Sequence, residues 1–342
     1  MRPFLRWWVF IAAFGPQGSD LSANGIEFEP YVLRTFDAQQ VEAELGRLRV
    51  PWRPEGPTIE LAFIRLKSTA ATPGPPLVHL VGGPGGAGTV SARTARFQAL
   101  NELCELGDVI VLDQRGTGMS QPNLTCRDRW DFPLNRPGEE TVLLEHAIGV
   151  CRGAAQRLRA EEIDLDAFTT NENADDLESL RQALGVEKLN LWGTSYGTHL
   201  ALAFIRRHEQ RVHRAILAGV EGPDHTLKLP STAEQQLTTL DRLAKVDREL
   251  RQYVPDFRGL VRTVLAKLEH NPVTVELPRA TGSPVAVTIG KFDVQLVTVN
   301  AMGRTNTARL LPAMYYAMSQ GDFKSVGRQV QSLRGRRRGG TR

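Results

Sequence analysis

The chain has 342 residues, enough to bury one large hydrophobic core or two smaller ones. Its 42 basic and 38 acidic residues give a net charge of +4, but five of the arginines lie in residues 334–342. The rest of the chain is close to neutral, so the charge is no sign of a nucleic-acid partner, and none is expected. No apolar run approaches the roughly 20 residues that span a bilayer, and no integral membrane segment is expected.

The N-terminus has features of a secretory signal, because two arginines precede a short apolar run at residues 7–14. We therefore expect export to the periplasm or beyond the cell. In an exported protein Cys126 and Cys151 would suit a disulfide, although the sequence does not establish whether they pair. No cysteine or histidine spacing typical of metal sites occurs, so neither a metal nor a cofactor is expected.

Strands and helices alternate through the first two thirds of the chain. A half-exposed strand is predicted first, at residues 59–63. Short apolar runs predict buried strands at 77–81, 108–112, 188–192 and 212–218. Helices are predicted at 95–105, 143–160, 171–184 and 198–207. This alternation favours a mostly parallel sheet with helices on both faces.

The alternation stops after residue 222, where amphipathic helices surround one predicted hairpin. We interpret this part as a mostly helical cap. The expected organisation is a signal segment at 1–20, an α/β core at 21–225, an incomplete helical cap at 226–330 and a basic Arg/Gly tail at 331–342.

Ser195 lies in the motif Gly-Thr-Ser-Tyr-Gly at residues 193–197, between a predicted buried strand and a predicted helix. A nucleophile at such a turn has a strained backbone, and Gly193 and Gly197 provide the room that it needs. The helix N-terminus also directs free N–H groups at developing negative charge. The pattern predicts the nucleophile of a serine hydrolase at Ser195.

A glycine-rich loop at residues 82–86 follows another predicted strand. Backbone N–H groups can approach a substrate oxygen closely only where side chains are small or absent. We expect the oxyanion hole to use the backbone N–H groups of Gly83 and Tyr196.

Three motifs in order resemble one group of enzymes: Val-Gly-Gly-Pro-Gly-Gly at 81–86, Asp-Gln-Arg-Gly-Thr-Gly at 113–118, and the Ser195 motif. Together they resemble the proline iminopeptidase and tripeptidyl aminopeptidase group of α/β-hydrolases, over about residues 28–323. The resemblance implies an α/β-hydrolase fold and the release of N-terminal residues or short peptides from a peptide or ester substrate through an acyl-enzyme. It also implies that Asp113 and Arg115 are architectural, and we interpret them as a pair that fixes loops and takes no part in catalysis.

A catalytic serine needs a base and an acid to orient it, and in α/β-hydrolases both follow the serine in the chain. In the resembled group they follow the cap, and no matching strand, acid and histidine are found here. We therefore expect a C-terminally truncated member of the group that lacks its last core strands and is inactive. Two alternatives stay open: an active enzyme with His225 as base, and a non-catalytic protein that keeps the pocket. Peptide length, proline preference and oligomeric state are not readable from the sequence.

Overall fold

The computed structural model describes residues 20–21, 25–53, 56–126, 133–224, 229–279 and 282–334. The predicted signal segment lies outside these ranges except for Asp20, and so do His225 and residues 335–342 of the predicted tail. None of the described helices is long and apolar enough to span a membrane.

The chain divides into two compact units. The first consists of Met1–Thr125 and Glu162–Thr226, and the second of Cys126–Glu161 and Leu227–Arg342. Residues 126–161, which the sequence places in the α/β core, belong by their contacts to the second unit. Cys126 and Cys151 are not joined by a disulfide, and Cys151 is exposed.

The first unit is built on one sheet, in which eight strands are described. They are β1 (Asp20–Leu21), β2 (Ile26–Arg34), β3 (Gln40–Pro51), β4 (Thr58–Leu66), β5 (Leu77–Leu80), β6 (Val109–Leu112), β7 (Leu189–Thr194) and β8 (Val212–Ala218). Their order in the sheet is β1-β2-β3-β4-β6-β5-β7-β8. The pairs from β1 to β4 and the β4–β6 pair are antiparallel, whereas β6, β5, β7 and β8 are parallel neighbours. All strands except β2 and β4 therefore run in one direction, and the prediction of a mostly parallel sheet is confirmed.

Twelve α-helices are described in the two units together. They are α1 (Gly88–Ser91), α2 (Phe97–Leu103), α3 (Glu140–Ala160), α4 (Thr170–Ala183), α5 (Tyr196–His208), α6 (Pro230–Val246), α7 (Leu250–Tyr253), α8 (Phe257–His270), α9 (Lys291–Met302), α10 (Thr305–Ala308), α11 (Leu311–Ser319) and α12 (Lys324–Arg334).

Strand β6 shows how the sheet has a core on each face. Successive side chains of a strand point to opposite faces. Ile110 and Leu112 lie in a cluster with buried residues of α4 and α5. Val109 and Val111 lie in a second cluster, with Phe97 and Leu100 of α2. The first unit is thus a sheet covered by helices on both faces, as predicted.

Strand β8 lies at one edge of the described sheet and pairs only with β7 among the described strands. Its side chains are mostly exposed, and Ile216 keeps 52% of its surface accessible. This contrasts with β5 and β6, in which every residue is buried.

The second unit contains α3, α6–α12 and a hairpin of β9 (Val273–Leu277) and β10 (Val285–Ile289). The described residues of this unit share one apolar core cluster. Tyr315 is fully buried there, packs edge-on against Phe257, and shares a hydrogen bond with the Thr298 hydroxyl. Burial raises the pKa of Tyr315 to about 12, so the phenol stays neutral.

Candidate active site

Ser195 lies between the end of β7 and the start of α5. Its backbone has φ 54° and ψ −126°, in the left-handed half of conformational space that non-glycine residues rarely adopt. Such a strained residue persists only where its surroundings enforce it. The Ser195 N–H donates to the Ala218 carbonyl at 2.9 Å, and Thr198 Oγ1 donates to the Ser195 carbonyl at 2.7 Å. The turn is therefore held on both sides, by the end of β8 and by α5.

Both glycines of the motif are required by close backbone contact. A Cβ on Gly193 would overlap the carbonyl of Gly197. A Cβ on Gly197 would overlap the Leu80 carbonyl at the end of β5. The helix that follows Ser195 can therefore start close to β5 only because these positions have no side chain.

The glycine-rich loop lies directly against the nucleophile. A Cβ on Gly82 would be 2.7 Å from Ser195 Cβ, and one on Gly83, at φ 140°, would be 2.9 Å from the N atoms of Gly85 and Gly86. Gln114 Nε2 donates to the Val81 carbonyl at 2.9 Å and so fixes the start of the loop. The predicted oxyanion residue Gly83 thus belongs to a loop that approaches Ser195.

Tyr196, the other predicted oxyanion residue, is the first residue of α5. At this position the backbone N–H has no acceptor within its own helix, so it is available to an oxyanion. The Tyr196 hydroxyl and Thr170 Oγ1 are 2.9 Å apart, and the ring stacks on His199 with centroids 5.7 Å apart. The side chain is therefore fixed away from the position where its N–H would act.

The hydroxyl of Ser195 has a partner that the sequence analysis did not assign. Ser195 Oγ donates to Glu221 Oε1 at 3.1 Å. The Glu221 N–H in turn donates to Thr198 Oγ1 at 2.8 Å, which connects the loop after β8 to the elbow. One signal could have identified Glu221: β7 and β8 are parallel neighbours, so the residues after them emerge at the same edge of the sheet.

The described histidines that closely follow the elbow have partners other than Ser195. His199 Nδ1 donates to the Gly222 carbonyl at 3.4 Å. His208 lies 3.0 Å from Asp175, and His213 lies 3.0 Å from the Asn190 side-chain oxygen. The alternative base His225 lies outside the described residues. The partner that the structure shows for the Ser195 hydroxyl is therefore a carboxylate.

Asp113 and Arg115 fix two different loops. The buried Asp113 carboxylate accepts from the N–H and hydroxyl of Thr89 and from the N–H of Met119, all within 2.9 Å. Its burial raises the pKa of Asp113, which these hydrogen bonds partly offset. Arg115 forms a buried bidentate pair with Asp176, at 2.7 and 2.6 Å. The expectation that Asp113 and Arg115 form a pair is therefore wrong: each is buried with partners of its own.

A mostly parallel sheet, a strained serine between a strand and a helix, and a glycine loop against that serine define the class of α/β-hydrolases. A family model described as the alpha/beta hydrolase fold matches residues 75–286, more than half of the chain, and the chain belongs to this family.

The relatives found among known proteins agree with the group predicted from the motifs. The chain is 31% identical over 189 residues to the serine protease Hip1 of Mycobacterium bovis, covering 52% of this chain and 36% of that protein. It is 31% identical over 197 residues to a tripeptidyl aminopeptidase of Streptomyces coelicolor (53% and 35%), and 28% identical over 149 residues to a proline iminopeptidase of Xylella fastidiosa (43% and 33%). The matched part thus spans about a third of the length of each relative. The chain is an α/β-hydrolase with relatives of serine protease and aminopeptidase type.

Proposed function

We propose that this chain carries the nucleophile and oxyanion hole of an aminopeptidase-type serine hydrolase. One observation carries the proposal: Ser195 is held at positive φ at the N-terminus of α5, with the Gly82–Gly86 loop against it. An oxyanion that forms when Ser195 Oγ attacks a carbonyl would face N–H groups of this loop and of Tyr196. The attack would give an acyl-enzyme, with the amine of the shortened peptide as leaving group.

We further propose that Ser195 is poorly activated in this chain. A carboxylate accepts a hydrogen bond from an alcohol but is a weak base toward it, whereas an imidazole can take the proton near neutral pH. The hydroxyl donates to Glu221, and His199, His208 and His213 bond elsewhere. The serine is thus positioned for attack, but no described imidazole accepts its proton.

Chemical rescue tests both parts of the proposal. The full chain is incubated with a fluorescent fluorophosphonate probe, with and without added imidazole, and the rate of covalent labelling is measured. We expect slow labelling that imidazole accelerates and that Ser195→Ala abolishes. Ser319→Ala is the matched control because Ser319 is an exposed serine of the second unit, and it should label like the wild type.

The other outcomes discriminate among the alternatives. Rapid labelling without imidazole that His225→Ala abolishes would show that His225 is the base and would contradict poor activation. Absence of labelling even with imidazole would contradict the nucleophile and favour a non-catalytic binding protein. Once labelling is established, fluorogenic peptide amides with free and acetylated N-termini test the aminopeptidase type, and equal rates for the two would refute it.

A further inference from the structure

Glu221 carries a negative charge next to the nucleophile, and no cationic side chain among the described residues pairs with it. Asp175 and Asp176 each hold an arginine in a bidentate pair. Glu221 forms no ion pair with any residue in the described part of the chain; its carboxylate accepts from the uncharged Ser195 hydroxyl. A half-buried carboxylate beside a reactive group, with its charge unmatched, is suited to a cationic ligand.

Hydrogen bonds between the loop after β8 and helix α5 fix the backbone position of Glu221. Its N–H is held by Thr198 Oγ1, one turn into α5, and the following residue is held through its carbonyl by His199 Nδ1. The loop after β8 is therefore attached twice to the helix that starts at the nucleophile. These attachments hold the backbone of Glu221 beside the nucleophile, and the hydrogen bond from Ser195 places its carboxylate next to the point where a scissile carbonyl carbon would lie.

The short distance between the Glu221 carboxylate and Ser195 Oγ favours the α-ammonium of the residue whose carbonyl is attacked. In an aminoacyl group the α-nitrogen lies about 2.5 Å from its own carbonyl carbon, and an attacking oxygen lies roughly 3–3.5 Å from that carbon. An ammonium in this position is within reach of a carboxylate oxygen that lies 3.1 Å from Ser195 Oγ. In a tripeptidyl group the ammonium lies two residues further away, about 7 Å along an extended chain. Glu221 would then be too far from it to bind it.

We propose that Glu221 binds the free α-ammonium group of a single N-terminal residue whose carbonyl faces Ser195. This inference rests on the proposed aminopeptidase-type function and specifies its substrate: an aminoacyl group with an unblocked amine. The site would thus release one residue at a time, unlike what the name of the tripeptidyl aminopeptidase relative says of that enzyme. A bound ammonium would also donate to the Glu221 oxygen that now accepts from Ser195. The Ser195 hydroxyl would then be free to donate to a base.

Calorimetric titration tests the site without requiring catalysis. The full chain is titrated with L-alaninamide and with N-acetyl-L-alaninamide, which lacks the charge. We expect the wild type to bind the free amine roughly 10- to 100-fold more tightly, as a charged hydrogen-bonded pair would give. Glu221→Gln, which keeps the size and removes the charge, should abolish this preference. Glu209→Gln changes an exposed glutamate of the same unit and should leave the preference intact.

Ser195→Ala separates this inference from the proposed function. It removes the nucleophile but not the carboxylate, so the preference for the free amine should persist. A Glu221-dependent preference without fluorophosphonate labelling would sustain the amine site and refute the hydrolase function. Labelling without such a preference, or a preference that survives Glu221→Gln, would overturn the amine site and leave the hydrolase function standing.

Discussion

Arg115 offers a stability test with a matched control on the same helix. Asp175 and Asp176 are neighbours in α4, and each accepts a bidentate pair from an arginine. The Arg115–Asp176 side chains are only 2% and 4% exposed, whereas those of Arg207–Asp175 are 40% and 46% exposed. Arg115 also donates to the carbonyls of Trp52 and Ala167. The two pairs therefore differ mainly in burial and in these extra hydrogen bonds.

Arg115→Met should cost far more stability than Arg207→Met. Removing one partner of a buried ion pair costs about 3–5 kcal/mol, because the other charge is left uncompensated. An exposed pair contributes about 0–1 kcal/mol. The measurement is the free energy of unfolding in urea, followed by far-UV circular dichroism and extrapolated to water.

The loss in Arg115→Met should also grow as the pH rises. Burial raises the pKa of Asp176 to about 6 although Arg115 lowers it, so removing Arg115 raises the pKa of Asp176 further. A carboxyl with a raised pKa in the folded state binds its proton more tightly there than in the unfolded chain. Its stabilising contribution is present below the unfolded pKa and is lost as the pH rises through the folded pKa. A loss equal to that of Arg207→Met, or one that shrinks between pH 5 and pH 8, would refute this reasoning.

Two further predictions concern buried polar groups away from the nucleophile. Burial lowers the pKa of His79 from 6.5 to about 4, so the neutral imidazole stabilises the fold above pH 6.5 and this stabilisation is lost as the pH falls. Between pH 7 and pH 5 the free energy of unfolding of the wild type should therefore fall by about 2 kcal/mol more than that of His79→Gln. Urea unfolding at both pH values measures this difference. In the second unit the buried Asp293 carboxylate accepts from the N–H groups of Gly138 and Gly290 and pairs with Arg334. Asp293→Ala should cost about 3 kcal/mol and the exposed control Asp322→Ala under about 1 kcal/mol in the same assay, and equal costs would contradict the role of the network.

Two strands of the parallel half of the sheet, β5 and β6, could be predicted from the sequence because they are buried on both faces. Strand β6 is a short uninterrupted apolar run, β5 is apolar except for His79, and each is followed by a motif rich in glycine. The β2–β3 hairpin could not be predicted in this way. Strand β2 contains Pro30, and the side chains of its middle part are half-buried or exposed, so its apolar pattern is weak. It is an edge-side strand stabilised by backbone pairing with β3, which sequence periodicity does not report.

The contrast between local sequence patterns and positions set by strand pairing also explains which parts of the site could be predicted. Ser195, Gly193 and Gly197 are marked by a local rule, since one strand–turn–helix needs all three within five residues. Glu221 is not local: it meets Ser195 because the turn after β8 comes back over the start of α5 and is held there by Thr198. A sequence places an acid in that loop but not the direction of its side chain. Glu221, the residue that the structure adds to the site, is therefore the one whose position depends on the pairing of β7 with β8. Its carboxylate has no cationic partner among the described residues, which favours recognition of a free amine over a further catalytic role.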